Sequence, residues 1–250
     1  MDLGIAGKRA VVVGGTSNLG KACAMALAAE GVNLLLFARG ADALRSAAVE
    51  ITGRYPVNVL TVAGDMRNQA DVSQLGRVAR EAGGLDILIL NSPRPPMPML
   101  DVLDETDDAR WQSSHDGVVK SAILLTRELV PILVERGWGR VVAITSASVR
   151  RPLPHHALST VYRAGVTALL QHLAYEVASK GVTVNCIAPA SVLTEGFRNA
   201  WDLDERLRQI PVGRFGTQSE LAAFVAFLAS QHAGFTTGST LFVDGGRSAC

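Results

Sequence analysis

The chain has 250 residues, 48% hydrophobic and 19% charged, which is enough apolar material for one large core and too little charge for a disordered polymer. Its 24 Lys and Arg against 23 Asp and Glu leave a net charge of +1. That excludes a chain-wide field drawing the protein onto nucleic acid or an anionic membrane, and it favours a small-molecule partner.

Residues 1–9 carry an acid and two glycines and lack the basic-then-apolar order of a secretory signal. No later stretch reaches the roughly 20 uninterrupted apolar residues of a membrane span, so a cytoplasmic protein is expected. Short aliphatic runs at 10–13, 34–37, 57–62, 87–90, 141–144, 182–187 and 241–243 each predict a buried parallel strand. Between them, alanine- and leucine-rich stretches at 19–30, 41–52, 72–82, 106–135, 159–179 and 220–230 have helical spacing. Strand alternating with helix predicts an α/β doubly wound parallel sheet, because parallel strands need crossovers and the helices cover both faces. No linker or repeat divides the chain, so one domain over 1–250 is expected.

Val11-Val12-Val13-Gly14-Gly15-Thr16-Ser17-Asn18-Leu19-Gly20 runs from a strand through a small-residue turn into a helix. Gly14 permits the tight turn, amides at the helix start can face a pyrophosphate, and Gly20 lets the helix approach the sheet. Asn18 stands where a further glycine is expected, and asparagine tolerates a positive φ better than most residues. The next strand ends in Arg39, where an NAD site places an acid for the ribose 2′-hydroxyl. Arg39 can fork onto a 2′-phosphate, favouring NADP(H) over NAD(H), or it is simply a solvated arginine at a helix entrance. Residues 93–98 hold four prolines and follow a strand's carboxyl end, where a stiff ligand-binding loop belongs. Cys23, Cys186 and Cys250, odd in number and far apart, read as packing or terminal residues, and no metal site is expected.

These motifs resemble the short-chain dehydrogenase/reductase family, a Rossmann-fold family, over nearly the whole chain, and the 3-oxoacyl carrier-protein reductases within it. Val13-Gly14-x-x-x-Asn18-Leu19-Gly20 is similar to the family's Thr-Gly-x-x-x-Gly-Ile-Gly. Leu90-Asn91-Ser92-Pro93 stands for its Asn-Asn-Ala-Gly, and Val184-Asn185-Cys186-Ile187-Ala188-Pro189-Ala190 for its Val-Asn-x-Ile-x-Pro-Gly. The resemblance implies that Gly14, Thr16, Ser17, Asn18, Leu19, Asp65, Met66, Asn91, Ser92 and Pro93 hold the cofactor. It also sets Pro189, Val192 and Thr194 at the nicotinamide end, and it implies a homodimer or homotetramer built on the long helices.

The family's reaction uses an Asn, a Ser, a Tyr and a Lys, an acid tuned by a cation beside a hydrogen-bond donor. Counting from Val141-Val142-Ala143-Ile144-Thr145-Ser146, the serine is Ser146, the tyrosine position is Ser159 and the lysine position is Arg163. The asparagine position, seven residues after Trp111, is Val118. Ser159 cannot titrate like a phenol, whereas Arg163 can still bond a ribose. Tyr162, His155 and His156 are the local alternatives for a proton donor, each with a plainer reading as a packing or loop residue. Residues 193–210 read as a helical flap whose Phe197, Trp201 and Leu203 meet an apolar substrate or simply pack.

Three functions remain open: an NADP(H)-dependent oxidoreductase acting on a carbonyl or secondary alcohol with a non-standard proton donor, a cofactor-binding protein with little turnover, and a non-redox enzyme on the same scaffold.

Overall fold

A computed structural model describes residues 1–199 and 201–249. Seven parallel strands form one sheet: β1 (Arg9–Val13), β2 (Asn33–Ala38), β3 (Val59–Ala63), β4 (Ile87–Asn91), β5 (Gly139–Ile144), β6 (Val182–Pro189) and β7 (Thr240–Val243). Their spatial order is β3-β2-β1-β4-β5-β6-β7. The order reverses between β1 and β4, and that switch point opens a crevice at the strands' carboxyl ends.

The period of two along β1 explains the layering. Val11 and Val13 face one side, packing with Leu75, Leu125, Val166 and Leu170. Ala10 and Val12 face the other, packing with Leu27, Leu44, Leu221 and Val225. The first layer is built by α3 (Gln69–Glu81), α5 (Ser121–Glu135) and α6 (Ala157–Val177). The second is built by α1 (Asn18–Ala29), α2 (Ala41–Thr52) and α9 (Gln218–Leu228). Local signals set the ends: the Asn68 side chain caps α3, and Thr217 with Glu220 forms a capping box on α9.

The structure corrects two boundaries. The helix expected over 106–135 is interrupted. Asp107 accepts from the Ala109 amide and starts α4 (Asp108–His115), a π-helical turn follows over Asp116–Lys120, and only then does α5 begin. Gly117 weakens the helix there, and the Ser121 hydroxyl donates to the Gly117 carbonyl at 2.7 Å. The stretch 193–210 holds two short helices, α7 (Glu195–Arg198) and α8 (Leu203–Arg208), with Ala200 between them outside the described residues. Cys23 and Cys186 are buried, and burial pushes both thiols up to about 12, the behaviour of packing residues; Cys250 lies outside the described residues. Among the described residues no helix is long and apolar enough to cross a membrane.

Candidate active site

The crevice at the switch point has two joined lobes of about 470 Å³ and about 500 Å³, sharing Ser17 and residues 91–95 along their seam. Each is within the size range of small-molecule sites, about 300–1,000 Å³.

The larger lobe is set by the glycine turn. Gly14 lies at φ +67°, and a Cβ there would come within 2.9 Å of the Asn91 side chain. Asn18 adopts φ +47°, the left-handed conformation its position demands. A Cβ on Gly20 would stand 2.1 Å from the Gly14 carbonyl oxygen, so only glycine lets α1 start this close to β1. Ser17 is the N-cap of α1 and makes no side-chain capping bond, which leaves the first amides of the helix open toward the lobe. A turn too tight for a Cβ beside uncapped amides fits a dinucleotide pyrophosphate. Farther along stand Arg39, exposed at the end of β2, and Asp65 with Met66. Arg67, which sequence reasoning missed, also lines this lobe and donates to Asp65 at 2.6, 3.0 and 3.1 Å. That bond holds the Asp65 carboxyl below its ordinary range.

The second lobe gathers Ser146, Ser159 and Arg163 with Leu19, Pro189, Val192 and Thr194. All the residues that the sequence assigned to cofactor or catalysis therefore line one crevice. Ser146 lies two residues beyond β5 and accepts bonds from the Ser148 amide at 3.2 Å and the Ser148 hydroxyl at 2.9 Å, so its own proton is free to face the lobe. Ser159, 5% exposed, sits on the first turn of α6, and Arg163 follows one turn later. The Arg163 guanidinium donates to the carbonyls of Ile144 at 3.0 Å, Thr145 at 3.3 Å and Pro93 at 3.2 Å, tying the ends of β4 and β5 together. Burial and the neighbouring Arg94 hold it down to about 10. Thr194 caps α7, its hydroxyl accepting from the Phe197 amide at 3.1 Å.

The alternative proton donors separate. Tyr162 turns away from the crevice into the packing against α4, edge-on to Trp111 at 5.9 Å and to His115 at 6.0 Å. His155 is exposed and bonds Asp101 at 3.1 Å. His156 is buried, stacks on Trp201 at 5.1 Å and 7°, and directs Nδ1 to the Pro154 carbonyl at 2.6 Å. Because a carbonyl only accepts, Nδ1 carries the proton, and burial holds the ring down to about 4, neutral at neutral pH. Val118, at the asparagine position, is 1% exposed within the π-helical turn. The proline-rich loop and the flap meet over the crevice, where Arg94 donates to the Gly196 carbonyl at 2.8 Å.

Fold and crevice together define an open α/β protein with its ligand site at the topological switch point. A family model described as enoyl-(acyl carrier protein) reductase matches residues 13–248. The chain is similar to the L-sorbose reductase of Gluconobacter frateurii, solved with NADPH and L-sorbose, with 33% identity, TM-score 0.92 and 100% of each chain covered. It is similar to an NADPH-bound short chain oxidoreductase of Pseudomonas aeruginosa PAO1, described as containing an atypical catalytic center, with 30% identity, TM-score 0.89 and 96% of each chain covered. It is 32% identical to the 2-dehydro-3-deoxy-L-rhamnonate dehydrogenase (NAD(+)) of Sphingomonas sp. (strain SKA58), over 97% of this chain and 96% of the relative. The chain belongs to the short-chain dehydrogenase/reductase family, whose members named here are reductases and dehydrogenases of carbonyl and alcohol groups.

Proposed function

We propose that the protein is an NADP(H)-dependent oxidoreductase interconverting a carbonyl and a secondary alcohol without a phenolic acid. The carrying observation is the continuity of the crevice, which runs from Arg39 past the uncapped start of α1 to Ser146 and Ser159. In this reading Gly14, Thr16, Ser17, Asn18 and Leu19 hold the pyrophosphate, and Asp65 and Met66 border the adenine. Asn91, Ser92 and Pro93 line the middle, Pro189, Val192 and Thr194 border the nicotinamide, and Arg39 takes the 2′-phosphate. The NADPH in two solved relatives supports the cofactor choice, while the NAD(+) in the rhamnonate dehydrogenase's name stands against it.

When bound, the cofactor supplies or accepts the hydride. Ser146, its proton free, donates to the substrate oxygen. Ser159 donates a hydrogen bond to the same oxygen, and a water delivers the proton as negative charge builds there. Arg163, without a carboxylate partner among the described residues, holds positive charge one turn below Ser159 and stabilises that negative charge. Strands running unbroken in one sheet from Arg9 to Val243 support a single domain over 1–250 carrying both lobes. Exposed Val161 and Tyr175 on α6, with Phe224 and Phe227 on α9, support a homodimer or homotetramer, which light scattering would test.

Titration with NADPH and NADH tests the cofactor assignment. Arg39→Ala should weaken NADPH on the order of 10- to 100-fold, the worth of charged hydrogen bonds, and leave NADH unchanged. Equal loss of both would remove the 2′-phosphate role. In ketone reduction assays Ser146→Ala should cost on the order of 10²-fold in kcat, typical for one oxyanion donor. One observation favours a second reading, a cofactor-binding protein with little turnover: His156 is neutral and Tyr162 is turned away, so neither supplies a ready acid. Absence of product in a long single-turnover incubation across a ketone panel would decide for it.

A further inference from the structure

The lobe that holds Ser146 and Ser159 has a one-sided charge. Arg94, Arg163, Arg206 and Arg247 line it, and no Asp or Glu does among the described residues. None of the four arginines has a carboxylate of the described residues within 4 Å, although other arginines of the chain pair with acids at 2.6 to 3.7 Å. A guanidinium removed from water without a counter-charge is costly, so such a cluster is tolerated where an anion completes it.

Two of the four differ from the rest. Arg163 is spent on three backbone carbonyls, and Arg94 bridges the loop to the flap. Arg206 is 7% exposed and makes no side-chain hydrogen bond to any described residue; its guanidinium lies 3.7 Å from the centre of the Trp201 ring. Among the described residues none of its five N–H groups is taken. Arg247, 6% exposed, is held from two sides, donating to the Ser191 hydroxyl at 2.8 Å and to the Gln209 side-chain oxygen. These tethers orient it and leave three N–H groups over. Burial and mutual repulsion hold Arg206 down to about 10. The nearby acids do not close the circuit. Glu205, exposed on α8, acts on Arg206 and Arg247 only from beyond 4 Å, and Asp244 acts likewise on Arg247 while its oxygens accept from the Gly246 and Ser248 amides and the Ser248 hydroxyl; burial still outweighs both acids and leaves the two arginines depressed. The cofactor's own phosphates have other partners in the proposed reading, at α1 and Arg39.

We propose that the substrate carries an oxyanion, a carboxylate or a phosphate, beside its reacting carbonyl or hydroxyl, and that Arg206 and Arg247 bind it against the Trp201–His156 wall. The inference deepens the oxidoreductase reading and rests on it for the words carbonyl and hydroxyl; the anion site itself rests on the arginines. Planar, preset guanidinium forks suit such a group.

The test uses NADPH-loaded protein and calorimetric titration with two matched pairs: acetoacetate against its methyl ester, and dihydroxyacetone phosphate against dihydroxyacetone. Wild type should bind an anionic member on the order of 10- to 100-fold more tightly than its neutral partner, as charged hydrogen bonds would give. Which pair shows the larger ratio tells carboxylate from phosphate. Arg206→Gln should erase the ratio and leave NADPH affinity intact, while Arg206→Lys, which keeps the charge, should retain part of it and shows that the position tolerates exchange. Equal binding within both pairs, no binding of any probe, or a ratio that survives Arg206→Gln would overturn the inference. The two readings fail separately: turnover of neutral ketones without anion preference leaves the oxidoreductase and removes the anion site, whereas anion binding without turnover does the reverse.

Discussion

The two lobes of one crevice are built in opposite ways. The lobe proposed for the cofactor takes Gly14, Thr16 and Ser17 from one continuous stretch, residues 13–20, whose geometry is dictated residue by residue: Gly14 at φ +67°, Asn18 at φ +47°, and Gly20 against the Gly14 carbonyl. The lobe proposed for the substrate is lined by residues 94, 146, 159, 163, 206 and 247, which meet only because the sheet and the flap bring them together. The first lobe tolerates little change and reads directly. In the second, Ser159, Arg163 and Val118 stand at the positions where the family resemblance expects a tyrosine, a lysine and an asparagine, and hydroxyls, buried arginines and stacked aromatics converge there.

The largest expected effect breaks the first lobe. In a helix Ala is worth about 1 kcal/mol over Gly. At Gly20 that gain is overwhelmed, since the new Cβ would stand 2.1 Å from the Gly14 oxygen and 2.8 Å from the Asn91 side chain. Gly20→Ala should destabilise by about 3 kcal/mol, the upper part of the overpacking range, and abolish NADPH binding. Denaturant midpoints and NADPH titration check both, and an unchanged midpoint would show that α1 does not approach β1 this closely.

The second effect belongs to the substrate lobe and is read by pH. His156 is held down to about 4 against an ordinary 6.5, by burial first and then by the charges of Arg206 and Arg247. A depressed pKa means that the unfolded chain takes up the proton first. The stability contributed is therefore complete above about 6.5 and is lost as pH falls toward about 4, some 3 kcal/mol over the interval at about 1.36 kcal/mol per unit. The lost stability should reappear as a flat profile in His156→Gln, measured by urea denaturation at steps of pH. A wild-type profile already flat in that window would mean that the imidazole is open to water.

What the sequence disclosed follows the same division. Strands at all seven aliphatic runs were legible because parallel strands buried on both faces demand such runs. Ser146, Ser159 and Arg163 line one lobe because β5 ends beside the start of α6, a placement that the spacing along the sequence already suggested. The π-helical turn at Asp116–Lys120 had one visible signal, Gly117, inside an otherwise helical pattern. Arg206 and Arg247 were not legible at all. An arginine in a flap and another near the chain's end look like solvated charges, and their meaning comes from burial with no carboxylate of the described residues within 4 Å, a property of three dimensions. Trp201 was visible as an apolar flap residue, but its stacking on both Arg206 and His156 was not.

The smallest effect has an unusual sign and sharpens the contrast most. Most substitutions of buried residues destabilise. Arg206, however, is buried with no carboxylate of the described residues within 4 Å, and its depressed pKa says that the folded state holds the charge against a penalty that the unfolded chain does not meet. Methionine keeps much of the side-chain length and packs on an indole through its thioether, so it preserves the contact with Trp201 and discards the charge. Arg206→Met should therefore raise stability by about 1 kcal/mol, a discounted share of the penalty, in line with the gain seen when buried charges give way to apolar groups. Its Tm should rise in the absence of any anion and should cease to respond to acetoacetate or dihydroxyacetone phosphate, to which the wild type responds by mass action. A functional residue is expected to show this opposition of stability and binding. An arginine retained only for packing would instead lower the Tm when replaced, and that result would return the substrate lobe to an ordinary surface cleft.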